Sequence, residues 1–341
     1  MEIFNEYAII RENYGKKDTK YLSLVEAREN KENLDWTKIV KPKFLGIKTF
    51  NKFSLKTLRE YFDWTFFFLA WELKAMYPEI MDDPKYANEA KKLMNEANEY
   101  LDDIISKNEI KANGVVGIFE ANSVGDSIEI YDEKGNVIEV FHMLRQQHER
   151  REGEKNLSLS DYIAPKESGI KDYIGCFAVT GGINADEIAD VFRKNNDDYS
   201  SLMIRVLATR FAEAFAEWLH EEIRKEIWGY SPNENLSIQE KLRTKYEGIR
   251  PAVGYPSLPD HSEKKTLFRL LDVEKNTGIS LTENYSMYPG ASVSALIFGH
   301  PDSKYFNITK ISKDQVEDYA KRKNVSIDEV ERNLAHNLNY K

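Results

Sequence analysis

The chain has 341 residues, 41% hydrophobic and 12% aromatic, enough apolar material for one large core or two closely packed ones. A formal net charge of -9 argues against a nucleic-acid or anionic-membrane surface, since either would need a basic face. The single Cys176 excludes an internal disulfide framework and, with no signal peptide at Met1-Glu2-Ile3, predicts a reducing cytoplasm.

Residues Glu6 to Tyr14 read as a short charged helix that starts abruptly, as though cut from something longer, and Leu22 to Arg28 continue it after a polar break. Asp35 to Phe53, punctuated by Lys and Pro, predicts an extended path. Ser54 and Thr57 open a helical pattern through Leu58, Tyr61 and Phe62. Asp63 then stands directly against Trp64, Phe66, Phe67, Phe68 and Leu69, where an unpaired carboxylate would be costly to bury. It reads either as the N-cap of a helix continuing through Leu73 or as a carboxylate aimed at a ligand's ammonium or hydroxyl group. The apolar run from Trp64 to Trp71 stops at Glu72, far short of the roughly 18 residues a membrane span requires.

A long polar-faced helix follows Pro84 and reaches about Lys107, with Ala90, Leu93, Met94, Ala97 and Leu101 on its buried face. The period then changes to that of strands over Gly114 to Glu120 and Ser127 to Tyr131, and Asp132 to Asn136 turns the chain into Val137 to Phe141, an antiparallel hairpin. Asp172 to Thr180 predicts a further strand ending in a turn at Gly181-Gly182, with no phosphate-loop spacing after it. From Asp198 to Trp228 apolar residues recur at helical spacing and Gly229 closes one long central helix. On it, Glu213 and Glu217 stand one turn apart among alanines, which reads as a solvated face. His220-Glu221-Glu222 lacks the second histidine of a zinc helix, and no metal site and no catalytic acid, base or nucleophile is predicted.

Arg250 to Pro259 holds three prolines, one glycine, an arginine and a tyrosine, so it can be neither helix nor central strand. Pro251, Pro256 and Pro259 stiffen it, and Gly254 allows a backbone path that a Cβ would block. Arg250 offers a fixed cationic fork and Tyr255 a flat face with a polar tip. These residues alone leave two readings open: a small-molecule clamp, or a proline-rich crossover with a solvated arginine. Asp260 and Glu263 read as a capping pair for a helix to Lys275. Ile279 to Glu283, Ser292 to Phe298 and Lys304 to Ile308 read as strands, the last with Tyr305 and Phe306 on opposite faces. Two helices, Lys313 to Lys323 and Ser326 to Leu334, close the chain, the second opened by a Ser326, Glu329 capping box. The irregular alternation of elements predicts an α+β fold with a mostly antiparallel twisted sheet, flanking helices and one long central helix.

The closing third, RPAVGYPSLPDHSEK, LTENYSMYPGASVSALIFGHPDSKYF and ISKDQVEDYAKRKN, closely resembles the C-terminal activation domain of cobalamin-dependent methionine synthase. The resemblance runs upstream through WGYSPNENL, YIGCFAVTGG, GVVGIFEANSVGDSIEIY and FDWTFFFLAWEL, and covers nearly the whole chain from about Leu22. It implies a single curved, C-shaped domain over 22–341, with a helical elaboration around 54–107, preceded over 1–21 by a linker helix from another module. It further implies that the domain binds S-adenosylmethionine and presents its sulfonium methyl to cobalamin, converting inactive cob(II)alamin to methylcobalamin with an electron from flavodoxin or a related reductase. The expected partners are a cobalamin-binding module, on the same or a separate chain, and that reductase; the expected class is a methyltransferase that does not turn over alone.

By motif match the ligand-contacting positions are Asp63, Arg250, Ala252, Gly254, Tyr255, Tyr305 and Phe306, with Glu213 a weaker candidate. Phe306 departs from the tyrosine of some relatives. The chain lacks an Asp-x-His-x-x-Gly cobalamin-ligating motif. A second reading is a docking module that caps a cobalamin domain and recruits the reductase without holding ligand, and Lys321-Arg322-Lys323 is one candidate rim for an acidic partner.

Overall fold

The computed structural model describes residues 20–340, so the expected helix over Glu6 to Tyr14 lies outside the described residues. A short helix α1 (Leu24–Glu29) is opened by a Ser23, Glu26 capping box. Strand β1 (Gly46–Phe50) ends the extended stretch. Next come α2 (Leu55–Arg59) and α3 (Trp64–Ala70), separated at Asp63, which is the N-cap of α3 and accepts from the Thr65 amide at 2.9 Å. The long α4 (Ala87–Lys107) ends on Asn108 in the left-handed conformation.

Strands β2 (Lys111–Val124), β3 (Ser127–Tyr131), β4 (Val137–His142) and β5 (Asp172–Ile183) build most of the sheet. Gly181 and Gly182 are part of β5, not the expected turn; a Cβ on Gly181 would strike Phe211 and the backbone of Ala212, so glycine lets a helix pass across the strand. That helix is α6 (Asp198–Glu222), which follows the shorter α5 (Ala185–Lys194) and continues as a π-helical turn over Ile223–Ile227 up to Gly229. After α7 (Ile238–Leu242) the expected helix to Lys275 is two pieces, α8 (Lys264–Leu271) and α9 (Val273–Thr277), broken where Asp272 adopts a positive φ. A small ladder of β6 (Ser280–Leu281) and β7 (Met287–Tyr288) precedes β8 (Ser292–Ile297), and α10 (Lys313–Lys323) and α11 (Ile327–Asn333) close the chain.

The main sheet runs β4-β3-β2-β5-β8, with β1 also paired to β2, and every ladder is antiparallel. Both faces of the central strands β2 and β5 are buried. One face packs Val116, Phe177, Val179 and Ile297 against Leu207, Phe211 and Phe215 of α6 and the helices of residues 55–107. The other packs Val115, Ile174, Cys176 and Leu296 against Leu267 and Leu271 of α8 and Val316 and Tyr319 of α10. Alternation along β2 and β5 therefore sorts side chains between two cores, which is why these strands read as apolar runs. No helix among the described residues is long and apolar enough to cross a membrane.

Three expectations about charged or capping residues are corrected. Asp260 caps the turn at His261–Glu263, accepting from the Ser262 amide at 2.9 Å, but Glu263 does not reach back; it is buried, accepts from the His142 amide and pairs with Lys323. Lys323, paired also with Asp260, and Arg322, bound to Asp318 and the Met143 carbonyl, are therefore internal ties, and only Lys321 of that basic triplet is exposed. At Ser326 the hydroxyl accepts from the Glu329 amide at 3.1 Å, and the reciprocal bond of a capping box is missing. Lys304 to Ile308 is not a strand; its bonds are single and scattered, to the neighbouring loop and to side chains such as Tyr162 and Gln146.

Candidate functional site

The proline-rich loop is laid along the outer edge of β8. Ile249 bridges Phe298 and Ala252 bridges Ala295, while the Leu296 amide donates to the Pro251 carbonyl at 3.1 Å. Proline is tolerated there because the ladder uses its carbonyl and needs no amide. The tip folds on itself: the Gly254 amide donates to the Leu258 carbonyl, and the Leu258 amide to the Tyr255 carbonyl, both at 2.8 Å. Gly254 has φ +96° and a Cβ on it would collide with the His261 ring, so both conformation and space require glycine. From the far side, the Ile308 amide donates to the Pro256 carbonyl at 2.7 Å and the Ser257 hydroxyl to the Phe306 carbonyl. The stretch is a sheet-edge segment held from two sides, not a solvated crossover.

Between this loop, α6 and residues 305–307 lies a cavity of about 380 Å³. Of the expected residues, Glu213, Arg250, Ala252, Tyr255, Tyr305 and Phe306 line it; Gly254 and Asp63 do not. Asp63 stands near the rim instead, where it and Glu213 share the field of Arg210, whose guanidinium burial holds below its usual range and which lies over the Phe66 ring. Phe306 turns its ring into the second core and has its carbonyl taken by Ser257. Tyr305 keeps its ring half exposed; its hydroxyl accepts from the Arg250 amide at 2.9 Å and pairs with the Tyr246 hydroxyl at 3.2 Å. Tyr255 is 62% exposed and presents its ring at the mouth.

Arg250 is the centre of the charge arrangement. Its guanidinium is buried and bound to the Glu217 carboxylate, while its Nε has no hydrogen-bond partner among the described residues. Glu217 is thus not on a solvated face. Burial holds its carboxyl above the ordinary carboxylate range, Arg250 offsets part of that, and the arginine keeps its proton. A guanidinium already oriented by one carboxylate, with a free edge, suits a second carboxylate through charge-assisted bonds of roughly 1.5–3 kcal/mol. The far wall holds three residues that the sequence did not single out, His261, Lys264 and Ser294. Tyr246 and Glu217 were also missed as site residues; only their spacing from Arg250 and Glu213 hinted at them.

Among the described residues no three His, Cys, Asp or Glu side chains are grouped to hold a metal ion. A rigid sheet-edge loop, an oriented arginine and an aromatic mouth give this α+β domain a cavity of small-molecule size. The family model for the activation domain of vitamin B12-dependent methionine synthase matches residues 54–324. The fold is similar to the crystal structure of the MetH reactivation domain bound to AdoHcy, with a TM-score of 0.92, 51% sequence identity, 95% of this chain covered and 100% of that one. The chain belongs to the activation domains of vitamin B12-dependent methionine synthases.

Proposed function

We propose that the cavity beside Arg250 to Pro259 binds S-adenosylmethionine and holds its sulfonium methyl for transfer to the cobalt of a separate cobalamin-binding module. The observation that carries this is the Arg250 guanidinium, buried, oriented by Glu217 and unsatisfied at Nε beside a cavity of about 380 Å³, within the usual range for small ligands. The related domain bound to AdoHcy supports it, since AdoHcy is the same molecule without the transferred methyl.

In this reading Arg250 takes the ligand carboxylate, Glu213 on the cavity wall and Asp63 at the rim attract its ammonium, and the loop backbone at Ala252 and Gly254 lies along the nucleoside. Tyr305 fixes the Arg250 backbone through its hydroxyl. Tyr255 faces outward at the mouth, where the cobalamin ring would approach. A cobalamin held by the partner module and reduced by one electron from flavodoxin or a related reductase would be the methyl acceptor, with AdoHcy left in the cavity as the leaving product. Methyl transfer to a reduced metal needs no acid or base from this chain; its contribution is proximity and orientation. Prolines that fix the loop before binding lower the ordering cost. The domain works in the cytoplasm as part of the methyltransferase and does not turn over alone.

Calorimetric titration of the chain with S-adenosylmethionine tests the reading. Binding that Arg250→Ala weakens by tenfold or more, and that Tyr255→Phe largely spares, is expected. No detectable heat and no thermal stabilisation at high ligand would leave only a docking role.

A further inference from the structure

Four polar side chains of the long central helix and its end follow one another in a row, Glu213, Glu217, His220 and Arg224, at spacings of four, three and four residues. Glu213 lines the cavity, Glu217 holds Arg250, and the π-helical turn over Ile223–Ile227 carries Arg224. The Arg224 side chain is 1% exposed, and its Nε and Nη2 donate to the Glu234 carboxylate at 2.7 and 2.6 Å. Arg224 therefore has a carboxylate of its own and stands outside the cavity wall. Its guanidinium lies over the ring of Tyr246, 4.5 Å from the centroid, and the His220 ring meets the same ring edge-on at 4.7 Å. His220 is buried, and burial, with Arg224 and Arg250 beside it, holds its pKa well below the ordinary value, so it adds no charge. Tyr246, clamped in this way, lines the cavity, and its hydroxyl stands 3.2 Å from that of Tyr305. The Tyr305 hydroxyl accepts in turn from the Arg250 amide at 2.9 Å.

Tyr305 belongs to no strand and its ring is half exposed, so no ladder and little packing fix where its hydroxyl lies. We propose that Tyr246 is a positioning residue for the ligand: held by Arg224 and His220, it fixes the Tyr305 hydroxyl, and with it the backbone from which the Arg250 guanidinium reaches the ligand's carboxylate. This rests on the S-adenosylmethionine reading above. A phenol oxygen that accepts from an amide still has a proton to give and a second lone pair, so the Tyr246 hydroxyl completes it as acceptor or as donor. Arg250 is then set at both ends, its guanidinium by Glu217 and its amide by the two tyrosines. Setting the cation before the ligand arrives lowers the ordering cost of binding. Because this line of contacts ends on Arg250, its effect falls on the amino-acid group of the ligand and spares the nucleoside.

The test uses the whole chain and two probes, AdoHcy and 5′-methylthioadenosine, which keeps the nucleoside and lacks the amino-acid group. By calorimetry Tyr246→Phe, which keeps the ring and removes only the hydroxyl, should bind AdoHcy about fivefold more weakly and 5′-methylthioadenosine as wild type does. A general loosening of the cavity would weaken both probes alike. Tyr305→Phe should also weaken AdoHcy, and adding Tyr246→Phe to it should cost nothing more, because the bond between the hydroxyls is already gone. Unchanged AdoHcy affinity in Tyr246→Phe overturns the proposal. So do equal losses for the two probes, or a double variant whose loss is the product of the two single losses. If wild type binds AdoHcy but not 5′-methylthioadenosine, the double variant decides alone. A wild type that binds neither probe overturns the S-adenosylmethionine reading itself, and the positioning role with it.

Discussion

Glu217 and Arg250, 33 residues apart in the chain, form a largely buried ion pair that ties the long central helix to the loop at the sheet edge. Removing one partner strands the other charge. Glu217→Ala should destabilise the domain by about 3–5 kcal/mol and weaken AdoHcy binding about tenfold, because the guanidinium loses its fixed orientation. Urea unfolding of Glu217→Ala, Arg250→Ala and the double variant measures it. The double variant should cost clearly less than the sum of the two singles.

Gly254→Ala brings two penalties that can be separated. The new methyl meets the His261 ring, and the positive φ remains unfavourable for any L side chain. A loss of about 1–3 kcal/mol in thermal unfolding is expected, with weaker AdoHcy binding. Adding His261→Ala should recover part of that loss by removing the collision and leave the backbone part. Full recovery would show that the backbone conformation costs nothing.

Arg145 is, with Arg224, one of the two largest wholly buried side chains among the described residues, and its guanidinium is shared by Asp126 and Asp161. Arg145→Ala leaves two buried carboxylates facing each other, so a loss of about 3–5 kcal/mol in urea unfolding is expected. The cluster lies away from the cavity, and the affinity of the folded variant for AdoHcy should stay at the wild-type value.

The domain should weaken in mild acid. Burial, with Arg322 and Lys323 adding to it, lowers the His142 pKa to about 4. As pH falls below the ordinary histidine value of about 6.5, the unfolded chain takes the proton first. The contribution is therefore present above about pH 6.5 and is lost towards pH 4, by about 3 kcal/mol in all. His220, held well below its ordinary value by burial and then by Arg224 and Arg250, acts in the same direction. Asp172, pushed up to about 6 by burial, opposes them: its folded form takes a proton before the unfolded chain does, so it adds stability as pH falls through 6. Urea midpoints at pH 7 and pH 5 should differ, and His142→Gln should shrink the difference.

Elements governed by local rules were legible in the sequence. The hairpins of the sheet, the long helix and the stop at Asp63 follow from side-chain period and capping, which act within a few residues. Glu217 was not legible. A Glu pair one turn apart among alanines looks solvated, and only the return of the chain at Arg250 buries it. Lys304 to Ile308 failed for a related reason: its bonds go to Pro256, Ser257 and Arg250 one at a time, and no neighbouring strand supplies a ladder. Lys323 reads as a surface charge in any helix of that composition, until Asp260 and Glu263 are folded against it. Of the cavity wall, the residues on the loop stood out through their prolines and glycine, while Lys264 and Ser294 have no local mark.

The loop that runs along β8 also covers a sheet edge. An uncovered edge exposes a row of amides and carbonyls that any extended segment can extend, which is a common route to aggregation. The bridges at Ile249 and Ala252 and the prolines around them leave little of that row for an intruding strand. Substitutions that loosen the segment should then lower solubility as well as affinity, and a variant that fails to bind needs its aggregation state checked before the loss is assigned to a missing contact.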